Sequence, residues 1–483
     1  MFGWLRSLFG GKPQPKRQAT LRASYDAAQT TDANERHWSW ADSLSARSAN
    51  SLEVRRTLRE RARYESANNS YCRGIVLTLA NNLVGPGPRL QVTGPDEVAN
   101  RQIEAAWAAW ARAIRLADKL RTMKQAKTVD GEGFALLVTN PMLPTSVQLD
   151  LRLIEADQVA SPFFRATGPG DYVDGIEFDP FGNPAVYHVL KNHPGATTFW
   201  ASSWGYDRLP ARSVLHWFRA DRPGQARGIP EYTPALPLFA QLRRFTLATL
   251  AAAETAANFA ALIKTSAPPY TGSEQAQGGQ QGDHPAFEIE RGMMTFLPEG
   301  WEPSQLKAEH PATTYEMAVW CILREICRCL NVPLNIALGD SSKSNFSSAR
   351  LDHLVYRQSV GVEREDCERE VLEPALGAWL DEATRIPKLL PPGTPPVAAA
   401  LLHTWHWPAW EPIDPKVEAE TEQVRMAAGT GTLAEFAGAH GQDWREVIRQ
   451  QEAEAAYRAQ VRREMGGPSV PQQAQEVAQP AAA

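Results

Sequence analysis

The spacing of apolar residues changes period several times along these 483 residues, and each change marks a part. Residues 10–45 are polar and irregular and read as an arm. From Ser51 to Leu83 the spacing is helical, until Gly85-Pro86-Gly87-Pro88 stops it. A second helix is predicted from Pro95 to Ala126, with Ile103, Trp107, Trp110 and Ile114 on one face. Short apolar runs then predict strands at Gly133–Thr139, Leu149–Glu155, Tyr172–Phe178, Pro184–Leu190 and Val214–Arg219. Asp179-Pro180-Phe181-Gly182-Asn183 between two of them has hairpin-turn chemistry.

Pro234 and Pro237 open a long helix predicted to reach about Lys264. Its inner positions Leu238, Leu242, Phe245, Thr249, Ala252, Ala256, Phe259 and Ile263 step by four and three in a heptad-like seam. Such a helix is roughly 40 Å long at ~1.5 Å per residue. Residues 266–285 form a Pro/Gly/Gln/Ser insertion, Ala286–Leu297 reads as strand, and Thr313–Leu330 as a second amphipathic helix. A polar loop, Gly339 to Asn345, separates it from a very long helical stretch, Ser347 to about Ala383, with Pro374 as the expected kink. Residues 386–404 look irregular, Trp405–Ala459 returns to helices, and the Pro/Gln/Ala tail after Gly466 reads as disordered. The fold class is therefore α+β, in several modules, since one core rarely organises this many residues.

Composition adds little bias: 43% hydrophobic and 22% charged residues suit a soluble globular chain. The net charge of -5 advertises no strongly basic body for tight nucleic-acid binding. Charge is uneven, with 12 Lys/Arg against 6 Asp/Glu in residues 1–64 and 7 against 12 in residues 411–483. The five cysteines show no disulfide framework. The C-x5-C-x-C spacing of Cys321, Cys327 and Cys329 matches no zinc template, so buried thiols in a reducing compartment are expected. Met1 to Phe9 is too short and interrupted for a secretory signal. The Ala-rich stretch Phe245–Ile263 carries Glu254 and Asn258, which argues against a membrane span and against a membrane pore.

Catalytic chemistry is not legible. No G-x-x-x-x-G-K-[ST] loop, H-E-x-x-H pair or G-x-S-x-G elbow is present, so no enzyme, cofactor or metal is expected. His403 and His406 fall in an extended stretch beside Trp405 and Trp407 and read as part of an aromatic structural cluster.

Several blocks, in order, resemble those of lambda-type phage portal proteins. They are Arg61-Ala62-Arg63-Tyr64 through Asn69 with Asn81-Asn82-Leu83-Val84-Gly85-Pro86-Gly87, then Asp130-Gly131-Glu132-Gly133 and Leu153-Ile154-Glu155-Ala156-Asp157. Asp174-Gly175-Ile176-Glu177-Phe178-Asp179 follows, and then the most specific block, His216-Trp217-Phe218 with Arg222-Pro223-Gly224-Gln225-Ala226-Arg227-Gly228-Ile229-Pro230. Asn331-Val332-Pro333, Asn345-Phe346-Ser347-Ser348-Ala349-Arg350, Trp407-Pro408 and Ile413-Asp414-Pro415-Lys416 complete the series. Asn331 stands where that family often has Gly, and Phe346 where it often has Tyr.

The resemblance implies a ring of twelve subunits at one capsid vertex, a channel for DNA entry and ejection. It divides the chain into an arm (1–45), an α+β wing (46–236), stem helix 1 (237–265), a clip (266–300) and stem helix 2 (301–332). A tunnel-loop region (333–346), a long helix with wing return (347–404), a mostly helical crown (405–460) and a disordered tail (461–483) follow. Ser341, Ser342, Lys343, Ser344 and Asn345 are the candidate contacts to the DNA backbone, without base readout. Clip residues including Pro268, Pro269, Tyr270 and Gln280 are expected to meet the terminase large subunit, then head-completion or tail-connector proteins. Other implied partners are the major capsid and scaffold proteins, in the virion and, during assembly, the host cytoplasm. His216, Arg222, Gln225 and Arg227 are expected to fix a turn between wing and stem, with Gly224 and Gly228 supplying backbone freedom. Asn345, Ser347, Ser348 and Arg350 form a second structural motif. A head–tail adaptor ring without a packaging role is the alternative left open.

Overall fold

The computed structural model describes residues 35–39, 41–161, 172–196, 205–258, 262–265, 301–304, 312–343, 345–408, 410, 415–439 and 442–464. Two single turns, α1 (Glu35–Trp38) and α2 (Ala46–Ala49), lead into α3 (Leu52–Asn68) and α4 (Ser70–Val84). The sequence predicts one helix here; the structure breaks it at Asn69. That side chain caps α4 by accepting from the N–H groups of Tyr71 (3.1 Å) and Cys72 (3.3 Å), and its amide donates to the Phe239 carbonyl. Strand β1 (Arg89–Val92) follows, then α5 (Glu97–Ala113) and α6 (Leu116–Asp130). The predicted single helix across 95–126 is likewise two, because Arg115 adopts a left-handed φ of 56° between them.

Residues 132–218 hold two antiparallel sheets. Strands β2 (Glu132–Thr139), β3 (Leu149–Ile154) and β8 (Val214–Phe218) form one, in the order β3-β2-β8. The other runs β4 (Tyr172–Val173), β5 (Ile176–Phe178), β6 (Pro184–Leu190), β7 (Tyr206–Pro210). The strand predicted at Tyr172–Phe178 is instead a tight hairpin. Asp174 and Gly175 both have positive φ, 37° and 85°, as a two-residue turn matched to strand twist requires. The Asp179–Asn183 turn joins β5 to β6 as expected. Strand β7 has a weak apolar signal and is not anticipated by the spacing.

Alternation along β2 explains how the layers stack. Phe134 and Leu136 enter a small core between the two sheets with Ile176, Phe178, Tyr187 and Val189. Ala135 faces the main core, where Trp107 lies 4.6 Å from Trp110 and 5.4 Å from Trp379. The Trp110 indole N–H, buried with its ring, donates to the Leu149 carbonyl at 2.7 Å.

Helix α7 (Leu236–Asn258) stops short of the predicted Lys264, and Leu262–Thr265 is strand β9, paired antiparallel with β10 (Trp301–Ser304). Branched Ile263 and Thr265 suit a strand better than a helix end. The strand expected at 286–297 lies outside the described residues. Helix α8 (Ala312–Cys329) returns alongside α7, joined by stacking of Phe245 on Tyr315 at 5.4 Å. Asn331 takes φ 52°, a left-handed conformation that Asn tolerates nearly as Gly does, which accounts for Asn at a position often Gly.

After α9 (Leu334–Leu338), α10 (Phe346–Cys367) runs through a π-helical turn (Glu368–Leu372) into α11 (Glu373–Ala383). The expected disruption at Pro374 takes this form. Proline lacks the N–H and crowds the carbonyl four residues back, and the wider turn absorbs both. Strand β11 (His403–His406) pairs with β1, and α12 (Pro415–Ala427), α13 (Leu433–Ala439) and α14 (Trp444–Glu464) follow. Among the described residues no helix is long and apolar enough to cross a membrane.

Candidate functional site

The polar loop between α9 and α10 is short and internally tied. Gly339 ends α9 in the left-handed region, φ 64°. The Asp340 carboxylate accepts from the Ser342 N–H at 2.9 Å, and bonds from Ser342 hold it below its usual range. Asn345 caps α10 by accepting from the Ser347 N–H at 3.1 Å, while the Ser348 hydroxyl donates to the Asn345 carbonyl at 3.0 Å. Ser341, Ser342 and Asn345 are exposed, Arg350 is half-buried, and Ser344 lies outside the described residues. Lys343 is exposed too, but its ammonium pairs with Glu316 and sits 4.4 Å above the Trp320 ring, both on α8. The loop thus presents hydroxyls, an amide and one cation whose charge is already partly answered. Pro268, Pro269, Tyr270 and Gln280 lie outside the described residues.

The second sequence motif is built around a fully buried carboxylate. Glu132, at the start of β2, receives Nε (2.9 Å) and Nη2 (2.6 Å) of Arg227, the Gly228 N–H at 3.1 Å, and Nε2 of His216 at 3.2 Å. Arg227 spends its remaining donors on the carbonyls of Val159, Asp174 and Ala156. Arg55 pairs with Asp174, and Arg59 reaches Glu132 at 3.5 Å. Burial pushes the Glu132 carboxyl up, but the Arg227 guanidinium and the His216 bond outweigh it and hold the group well below the usual carboxylate range. Burial pushes the His216 ring below its usual range in spite of the bond to Glu132.

Arg222 and Gln225 act at the rim. Arg222 donates to the Leu44 carbonyl at 3.0 Å, and the Gln225 amide oxygen accepts from the N–H groups of Asp221 (3.0 Å) and Arg222 (3.3 Å). Of the two glycines, only Gly224 supplies backbone freedom, with φ 77° and open space around it. Gly228 serves another purpose: a Cβ there would lie 2.0 Å from the Gly131 carbonyl oxygen, and one on Gly131 2.2 Å from the Ile229 carbonyl carbon. Two backbones touch at this point, which corrects the expectation and assigns Gly228 to close approach.

Sequence reading gives a role to the Arg227 side of this cluster, meets Glu132 and Asp174 only as members of the resemblance blocks, and does not reach Arg55. A lone carboxylate between Gly131 and Gly133, opening an apolar strand, is the available signal. It also misses a second buried set. Lys124 and Lys127 on α6 share Glu231 (3.0 and 2.5 Å) and Glu363 of α10 (2.5 and 2.6 Å). Burial raises Glu231, but the two ammonium groups pull it well below the ordinary range. Arg364, one residue on, donates to the carbonyls of Asn82, Leu83 and Pro408 and stacks over Trp407. Its charge rests on the carbonyl end of α4, where a cation is favoured.

His403 lies edge-on to Trp405 and shares Glu373 with that indole N–H, each at 2.8 Å, while His406 pairs with Gln91. Of the cysteines expected to be buried, Cys327 is, with its thiol pushed up to about 12 by burial, whereas Cys321 is exposed on α8. Among the described residues, Glu155, Asp157 and His193 are the group spaced to hold a metal ion. Arg63 already bridges both carboxylates, at 3.2 and 2.8 Å. The Gly195 N–H donates to His193 Nδ1, which leaves the proton on Nε2, the nitrogen a metal would need bare. That set is an arginine-filled ion-pair cluster.

The chain matches the family model described as phage portal protein, lambda family, over residues 33–364. A curated relative, the "Probable portal protein" of Halomonas phage phiHAP-1, is 24% identical over 462 residues, 90% of this chain and 87% of the relative. Among solved structures, the neck of an empty GTA particle computed with C6 symmetry covers 79% of this chain and 93% of its own, at 14% identity and TM-score 0.47. The neck of a native GTA particle computed with C12 symmetry covers 81% and 94%, at 15% identity and TM-score 0.44.

Proposed function

This chain belongs to the lambda family of phage portal proteins, and from that premise we propose that it is the repeating subunit of a twelve-membered ring at one capsid vertex. Double-stranded DNA passes inward through the ring during packaging and outward at ejection. The observation that carries the reading is the family match across residues 33–364. In this reading α7 and α8 form the stem and residues 266–300 the clip, which docks the terminase large subunit and later head-completion or tail-connector proteins. Capsid and scaffold proteins surround the wing, in the virion and earlier in the host cytoplasm.

A translocation channel must hold a duplex without fixing its register. Each phosphate neutralised by Lys or Arg releases counterions and adds affinity, so a dense cationic lining stalls sliding. The loop at 339–345 fits this demand. Ser341, Ser342 and Asn345 offer short polar contacts to the DNA backbone, and Lys343 offers one charge that Glu316 tempers. In this reading the buried Glu132–Arg227 cluster fixes the geometry of the wing, tying the start of β2 to the segment leading into α7.

Class averaging of purified, detergent-free protein by negative-stain electron microscopy tests the reading. Rings with a central hole and cyclic symmetry near twelvefold are expected. Protein that stays monomeric even with scaffold and capsid protein present overturns it.

A further inference from the structure

Helix α10 has two apolar faces. One, with Tyr356, Val360 and Cys367, is buried against its own chain. The other carries Leu351 (65% exposed), Val355 (62%) and Val362 (60%), with Leu354 on its flank. Exposed Gln358 lies between Val355 and Val362, and Gly361 leaves low ground beside them. The apolar positions fall at intervals of three, four and seven, the signature of one helical stripe. Nothing lies within 4 Å of where a Cβ on Gly361 would stand, so the stripe is open there. Apolar residues this exposed, grouped on one helix face, mark an interaction surface.

A second open face lies on the α7–α8 pair. These helices bury their inner sides against each other through Phe245 and Tyr315, which leaves Leu247 (56% exposed) of α7 and Met317 (67%) and Cys321 of α8 outward. Met317 to Arg328 and Leu351 to Val362 each span eleven residue steps, ~17 Å at 1.5 Å per residue, so the two stripes match in length. Their charges are complementary. The exposed charged side chains of α10 are carboxylates, Asp352 and Glu365. Over the matching span, the outer face of α7–α8 carries Arg244, Arg324 and Arg328 against Glu325, with Glu316 already paired to Lys343.

We propose that these two faces cover each other between copies of this chain: the stripe of α10 in one copy packs on the outer face of α7–α8 in the next. Two different, unpartnered and complementary faces on one molecule are what a head-to-tail contact needs, and a head-to-tail contact is the kind that closes a ring. The proposal rests on the ring reading above and adds which faces meet.

The exposed thiol of Cys321 provides the test. Leu351→Cys, Leu354→Cys and Val362→Cys are made one at a time in the full chain and treated with a short bis-maleimide, with Cys321→Ser versions as controls. The expected result is a ladder of covalent multimers on denaturing gels for at least one variant, lost with Cys321→Ser. The double variant Leu351→Asp/Val355→Asp, whose side chains touch little within the chain, should keep the parent melting temperature yet sediment as monomer. Rings by microscopy with no ladder from any of the three positions, or rings intact in the double variant, overturn this contact and leave the ring reading standing. Absence of rings from the parent protein under every assembly condition overturns both.

Discussion

Arg227 and Lys343 are both cations paired with a glutamate, and they sit in opposite surroundings. Arg227 is 1% exposed, its five donors are all spent, and its partner Glu132 is wholly buried and bonded four ways. Lys343 and Glu316 stand in solvent with side chains 51% and 59% exposed. A buried pair gives little net stability over an apolar substitute, yet removing one member strands the other charge. An exposed pair is screened and interchangeable. The buried cluster therefore enforces one geometry, while the loop keeps its cation available for exchange with another anion.

The largest effect predicted from this contrast is at the backbone contact beneath the cluster. Gly228→Ala and Gly131→Ala place a Cβ within 2.0–2.2 Å of main-chain atoms, so each should lose soluble folded protein or more than about 4 kcal/mol. Gly224→Ala meets only the left-handed penalty, roughly 1–2 kcal/mol. Equal melting for Gly228→Ala and Gly224→Ala contradicts the assignment. Next comes Arg227→Ala, which should destabilise by about 3–5 kcal/mol in denaturant titrations. Pairing Glu132→Leu with Arg227→Met should restore much of that loss, and simple additivity of the two singles tells against a coupled cluster.

Acid should act on the same cluster more mildly. Glu132 and Glu231 are both held well below the ordinary carboxylate range when folded. Their contribution is present above the unfolded value, about 4.3, and is lost as pH falls from there toward the folded value. Stability should decline steeply below pH ~4.3, and Glu132→Gln, already weakened, should show a flatter decline. An unchanged slope in Glu132→Gln removes that carboxylate from the account. Smallest is Lys343→Ala, which should leave the melting temperature unmoved.

The contrast also explains what was legible in the sequence. Ile103, Trp107, Trp110 and Ile114 at helical spacing mark a face that is buried in the structure, because burial leaves a periodic trace. The breaks at Asn69 and Arg115 did not show, since a side-chain cap and one left-handed residue interrupt a helix without disturbing its apolar spacing. Leu262–Thr265 read as helix because four residues are too few to establish a period. In the motif around Arg227, sequence order gave the cation but not its partners. Glu132, Asp174 and Arg55 come from three distant segments that meet only in three dimensions. The loop was legible as polar, whereas the tether from Lys343 to Glu316 and Trp320 depended on the return path of α8.

The measurement that tests the division of labour most directly is made on particles assembled with Lys343→Ala. Rings and capsids in parental numbers are expected, with a changed amount or retention of packaged DNA. Normal packaging and retention in that variant, or loss of the ring itself, contradicts the assignment of this loop to DNA.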